Sequence, residues 1–448
     1  MARLRIALLA ACLIAACGPS HRGDGGGDDD TTVDAPPQGN FATLTGKVYA
    51  PNQGPGQAPA GQEIPIAGAL VYVSQTQPPP IPDHVYCEQC VATPSGGILT
   101  GADGSFSLDV TPGHYWVVIE KGQFRIESEY DLPRGTVSLT PQQTTLPSVW
   151  DPDTGRFMPK MAMAQGTNDQ IEDILGKLGV GTMAGNSFAN PAGEKGPELD
   201  IYQYDGTGAD SVTALLSDID KMRQYHIIFF PCAVTMSGID SLLQDQTVLA
   251  NIRRYVSEGG KLYVTDWSGE LADRAFPQQI ELGDSGADSA GTYDPATFTG
   301  SLTTAGDADG GLYTAEDGKA VDPDLAAWLG LQSGPTENGG IEMYDPNAFE
   351  VTDLWNWMKK LTSVQIGTDD MGMPVYDTPK PWLTGSKTGT SGAANRPIAV
   401  TYEPTGCGKV LYTAFQTANG EHVGLYPQER VLLYLIMEIQ TCSDNPIL

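Results

Sequence analysis

The sequence predicts a β + α/β protein, with a small antiparallel β-sandwich followed by a mainly parallel, three-layer α/β domain. Three observations carry that prediction. Short alternating apolar runs separated by Pro- and Gly-rich turns fill the first third of the chain. From residue 160 onward, apolar strand-like runs alternate with helical patterns. The 448 residues suffice for two or three folding units of roughly 150 residues each.

The chain opens with Arg3 and Arg5 ahead of an apolar run from Ile6 to Ala16, the pattern of a secretory signal peptide over 1–16. That run falls well short of the roughly 20 residues that span a bilayer. It closes as Leu13-Ile14-Ala15-Ala16-Cys17, which resembles the lipobox of bacterial lipoproteins. The resemblance implies a lipid on Cys17, a membrane-anchored protein of the bacterial cell envelope and, with Gly18 next, the outer membrane. Residues 17–40 are Gly, Asp and Pro with almost nothing to bury, as in a disordered tether reaching ~25 Å. Its Asp28, Asp29 and Asp30 read as solvated rather than calcium-binding.

Residues 41–146 read as the sandwich, with strands predicted at Thr43–Tyr49, Ala69–Val73, Ser105–Val110 and His114–Ile119. Gly46-x-Val48, Ile66-x-Gly68-Ala69-x-Val71, Thr100, Asp103-Gly104-x-Phe106 and Pro112-Gly113-x-Tyr115 together resemble the carboxypeptidase regulatory-like domain. That resemblance implies a transthyretin-like sandwich, related to carbohydrate-binding folds, with no peptidase activity of its own.

A linker over 147–159 leads into the α/β half, 160–448. Strands are predicted at Lys160–Ala164, Leu199–Tyr204, Ile227–Pro231, Leu262–Trp267, Ile398–Tyr402 and Lys409–Phe415. Helices are predicted at Asp169–Leu178, Ser211–Arg223, Val248–Glu258 and Gln428–Gln440, with Gly259-Gly260 as a stop. A Gly/Asp-rich insertion occupies about 280–340. Its Asp307, Asp309 and Glu316 lack the twelfth-position acid of an EF-hand, so no metal is expected.

His226-Ile227-Ile228-Phe229-Phe230-Pro231-Cys232, then Tyr255-Val256-Ser257-Glu258-Gly259-Gly260, then Leu262 to Trp267, resemble the class I glutamine amidotransferase-like fold, a flavodoxin-like architecture. Amide hydrolysis on such a fold uses a Cys at a sharp strand-to-helix turn, activated by a His. On the resemblance, Trp267 stands at the nucleophile position of Thr265-Asp266-Trp267-Ser268-Gly269, and Gln416 stands where the late strand would carry the His. An indole cannot attack a carbonyl. The expectation is a pseudoenzyme without catalytic residues or cofactor, acting by binding or scaffolding. Cys232, Asp266, Trp267, Ser268 and Gln416 would line the degenerate pocket, with Trp267 as a plug or a sugar-stacking ring.

The alternatives are a carbohydrate-binding surface protein, and a hydrolase pairing Ser268 with His422, oriented by Asp266 or Glu270. Ser268 reads otherwise as a helix N-cap, His422 as surface loop, His226 as structural and Cys232 as a small core residue. In an exported chain, disulfides are expected between Cys87 and Cys90 and between Cys407 and Cys442, leaving Cys232 odd. His84, Cys87 and Cys90 supply three zinc-type ligands, one short of a closed site. A formal charge of −30 excludes a phosphate-reading face, so the expected partners are the membrane through the lipid, and an envelope protein or glycan, not nucleic acid.

Overall fold

The computed structural model describes residues 40–439 except 88–95, 166–167, 205–207, 233–241, 283–312, 337–338, 355, 357, 370, 388–393 and 418–420. The expectations for the signal peptide, Cys17 and its tether, Cys90, Asp307, Asp309 and Cys442 lie outside the described residues. The described chain is rich in β-sheet with a minority of helix. Among the described residues no helix is long and apolar enough to cross a membrane.

Alternation decides the first elements, labelled here in chain order. β1 (Ala42–Lys47), β2 (Leu70–Ser74), β3 (Ile98–Leu99), β4 (Ser105–Val110), β5 (Gly113–Lys121), β6 (Phe124–Leu132), β7 (Gly135–Ser138) and β8 (Arg156–Phe157) make two sheets. Their orders are β4-β1-β7 and β3-β2-β5-β6-β8. In β4 the inward Phe106 and Leu108 are buried while Ser105, Ser107 and Asp109 face water, the period of a one-sided strand.

A nine-stranded sheet follows. Its strands are β9 (Met161–Gln165), β10 (Leu199–Gln203), β11 (Ile227–Phe230), β12 (Lys261–Thr265), β13 (Tyr313–Ala320), β14 (Phe349–Leu354), β17 (Lys380–Gly385), β18 (Arg396–Tyr402) and β19 (Lys409–Thr413). The order is β10-β9-β11-β12-β19-β18-β17-β13-β14. A separate hairpin pairs β15 (Val364–Thr368) with β16 (Pro374–Asp377). All residues of β11 and β12 are buried, as parallel strands covered on both faces must be.

The expectation of a mainly parallel sheet is corrected on one side. The ladders from β10 through β9, β11 and β12 to β19 are parallel, but those joining β19, β18, β17, β13 and β14 are antiparallel. Connections such as 403–408 are too short for the crossover that a parallel pair needs. The predicted insertion is also narrower than 280–340, because β13 enters the sheet at Tyr313 and a helix follows at Pro323–Leu329.

The main helices are α1 (Ile171–Lys177), α2 (Val212–Leu216), α3 (Ile219–Met222), α4 (Gln246–Ser257), α5 (Gly269–Ala275), α6 (Pro323–Leu329) and α7 (Pro427–Ile439). The single helix predicted over 211–223 is two, because the Asp218 carboxylate accepts from the N–H groups of Asp220 and Lys221 and starts a new turn. Asp245 caps α4 in the same way. Gly259 ends α4 at φ +104°, and a Cβ there would collide with the Tyr86 carbonyl of the passing N-terminal chain.

That contact is one of many. Val85 N–H donates to the Arg223 carbonyl (2.9 Å), the Trp328 indole donates to Pro65 O (2.6 Å), and Arg430 donates to Gln62 O (3.1 Å). From Gly39 onward the chain forms one compact unit.

The disulfide also crosses this junction. Cys87 is bonded to Cys407 with Cα atoms 5.5 Å apart, which replaces the expected Cys87–Cys90 and Cys407–Cys442 pairs. The reason is positional. Segment 82–87 lies along the starting edge of the parallel strands, and Cys407 arrives there just before β19, where Gly408 N–H donates to Val256 O. The zinc reading of His84, Cys87 and Cys90 falls with it, since Cys87 is oxidised.

Candidate functional site

Strands β9, β10, β11, β12 and β19 run parallel and end on one edge, the edge where open α/β sheets present ligand crevices. At the centre, β12 ends at Thr265 and the chain turns sharply into α5. The turn residue is Asp266, with φ +45°. A left-handed conformation costs an L-residue roughly 1–2 kcal/mol, and Asp is among the few that tolerate it. Asp266 therefore holds the strained elbow position, one residue before Trp267, where the resemblance had put it. The close turn also needs Gly269, whose Cβ would strike the Tyr412 ring.

The side chains at this edge form a buried polar group. Gln416 donates from Nε2 to Asp266 Oδ2 at 3.1 Å and also reaches the Cys232 thiol. Asp169 is fully buried and accepts from Thr265 Oγ1, Thr417 N (3.0 Å) and Thr417 Oγ1 (2.9 Å), and also from the Cys232 backbone. Burial drives its carboxyl above the ordinary range, and those hydrogen bonds only partly oppose it. Glu172, on the first turn of α1, is pushed up to about 8 by burial and then by the charges of Asp169 and Asp173.

Cys232 sits among these groups. Burial pushes its thiol well up, and the Asp266 and Asp169 charges push the same way, while hydrogen bonds from the Trp267 backbone N–H and the Gln416 side chain pull back. The nucleophilic form of cysteine is the thiolate, so this environment opposes attack on a carbonyl at neutral pH.

Trp267 is half-buried beside the elbow. Ser268 is fully buried, donating from Oγ to Pro231 O at 2.6 Å and lying 3.0 Å from the Tyr204 hydroxyl. It precedes α5 without making the side-chain cap bond expected of it. Glu270 is buried in the first turn of α5, 3.9 Å from Arg274. His422, expected on surface loop, stacks on Tyr426 and pairs through Nε2 with Glu429 at 2.7 Å. The Ser268 hydroxyl and the His422 ring are thus committed to different partners.

His226 lies at the opposite end of β11. Its Nδ1 accepts from Lys160 N–H and its Nε2 donates to Pro82 O, each at 2.9 Å. Burial lowers its pKa to about 4, fixing the neutral ring. His84 is exposed beside Asp83. Among the described residues no three His, Cys, Asp or Glu side chains form a metal-ligating group.

The edge therefore gathers Cys232, Asp266, Trp267, Ser268 and Gln416, together with Asp169, Glu172, Thr265 and Thr417, which sequence reasoning missed. Asp169 had one usable signal, its place in the first strand-to-helix connection.

No family model and no curated protein matches this chain. Among solved structures, a cytoplasmic protein from Salmonella typhimurium is similar at 12% identity and TM-score 0.30, over 62% of this chain and 98% of that one. A ThuA-like protein from Bacteroides uniformis gives 11% identity and TM-score 0.26, over 62% of this chain and 87% of its own. A cold-adapted β-galactosidase from Rahnella sp. R3 gives 12% and 0.27, over 64% of this chain and 32% of its own. Likeness this low carries no argument about activity.

Proposed function

We propose that this protein is a membrane-anchored lipoprotein of the bacterial envelope, tethered through Cys17, that acts by binding or scaffolding rather than by catalysis. On this reading its two parts are a transthyretin-like sandwich and an amidotransferase-like α/β half whose elbow has become structural. One observation supports it above the rest. The Cys232 thiol faces the carboxylates of Asp266 and Asp169, which disfavour its ionisation, and an amide, Gln416, which cannot take its proton.

The elbow retains its sharp backbone because its side chains now bond one another. Asp266 joins β12 to β19 through Gln416, Asp169 joins Thr265 to Thr417, and Ser268 joins α5 to the end of β11. Cutting any of these strands a buried polar group, which costs about 1–3 kcal/mol.

The test is hydrolysis by the full chain of glutamine, small amides and p-nitrophenyl esters. Ammonia or nitrophenol release is expected to equal that of a Cys232→Ala, Ser268→Ala double variant. Turnover that vanishes in that variant refutes the reading.

A further inference from the structure

Away from the elbow, a cleft of about 740 Å³ opens where the N-terminal sheets meet the α/β half. Its volume lies within the range of small-molecule sites. It is lined by Gly68, Leu99 and Thr100 of the N-terminal part, by Ile366 and Tyr376 of the β15–β16 hairpin, and by Tyr434 of α7. Lys121 of β5 pairs with Glu438 of α7 at 2.7 Å, which ties the N-terminal side of the lining to α7.

The three lysines of this lining are already paired, while the carboxyl groups of Asp324 and Asp377 line it as well. Beside the Lys121–Glu438 pair, Lys380 meets Asp322 at 2.9 Å and Lys409 meets Glu403 at 3.2 Å. An anionic ligand would have to displace a carboxylate already in place. A neutral ligand would not, and paired ammonium and carboxylate groups keep spare donors and lone pairs for hydroxyls. Two apolar or aromatic side chains of the lining reach solvent: Tyr376 is 52% exposed and Leu99 is 64% exposed. An exposed amphipathic ring among charged and polar lining groups suits a molecule with apolar faces and hydroxyl edges.

We propose that this cleft binds a neutral oligosaccharide segment of a few rings, one ring lying on Tyr376. The site is independent of the anchor and of the elbow's chemistry.

Purified full-length protein should be titrated calorimetrically with cellotetraose, maltotetraose and tetra-N-acetylchitotetraose, with tetragalacturonate and spermidine as charged probes. At least one neutral oligomer is expected to bind, and Tyr376→Ala should weaken it about tenfold. Leu99→Glu, also at an exposed position, should weaken it similarly with unchanged thermal unfolding. Binding by none of the neutral oligomers, tighter binding of either charged probe, or binding that survives both substitutions overturns the proposal. Loss on Trp267→Ala with no effect of Tyr376→Ala would move the site to the elbow and overturn it as well.

Discussion

Two buried titratable residues set opposite pH slopes. Glu172 has its carboxyl raised from 4.5 to about 8, so its protonated form stabilises the fold fully below about 4.5, and that contribution is lost as pH climbs through 8. His226, lowered from 6.5 to about 4, contributes stability above 6.5 that is lost as pH falls toward 4. Between about 4.5 and 6.5 the two slopes oppose each other. From 6.5 to 8 Glu172 should lower stability by up to ~1.4 kcal/mol per pH unit, and the buried Asp169, whose carboxyl is also raised, acts in the same direction. Urea unfolding at half-unit pH steps should show that decline, and Glu172→Gln should flatten it; equal slopes in both proteins would refute the assignment. Asp266 offers a second residue-scale test. Asp266→Ala loses the Gln416 bond and keeps an unfavourable φ, so it should cost about 1–3 kcal/mol, whereas Asp266→Asn should cost less than half as much. Equal losses would mean the left-handed turn is not what selects Asp. The elbow was partly legible, since Asp is a residue that tolerates this turn. Its partners were not, because Asp169 meets Thr265 and Thr417 across 96 and 248 residues of sequence.

Elements were legible where burial is two-sided. Ile227–Phe230 and Lys261–Thr265 are unbroken buried runs, and the sequence prediction lands within a residue or two of their starts. Tyr313–Ala320 escaped notice because its eight residues carry Thr, Glu, Asp, Gly and Lys among few apolar side chains. It is held by partner strands on both sides rather than by its own pattern. The disulfide failed for a related reason. Spacing favoured Cys87 with Cys90, while the fold lays segment 82–87 against the start of β19. Non-reducing peptide mapping should therefore recover a cross-linked pair containing Cys87 and Cys407, and reduction should cost about 2–5 kcal/mol, given the 320-residue separation. Recovery of a Cys407–Cys442 peptide instead would contradict the observed pairing.

Across the whole molecule, contacts join the N-terminal sheets to the later part of the chain within one compact unit. Trp328, fully buried, donates its indole N–H to Pro65 O, and the buried Arg430 guanidinium bonds Gln62 O as well as Ser333 O and Gln332. An excised 160–448 fragment would leave the indole donor without its acceptor and one side of that guanidinium open, while baring the apolar surface around them. Glu438 would lose Lys121, its partner 317 residues away. These contacts spread over α6 and α7 on one side and over residues 62–65 and β5 on the other, so the junction does not depend on one element. Calorimetry on the full chain should then give one unfolding transition whose van't Hoff and calorimetric enthalpies agree. The 160–448 fragment should show lost near-ultraviolet dichroism and exposed apolar surface. Two resolved transitions, or a fragment that unfolds cooperatively at the temperature of the full chain, would mean that the junction adds surface without adding stability.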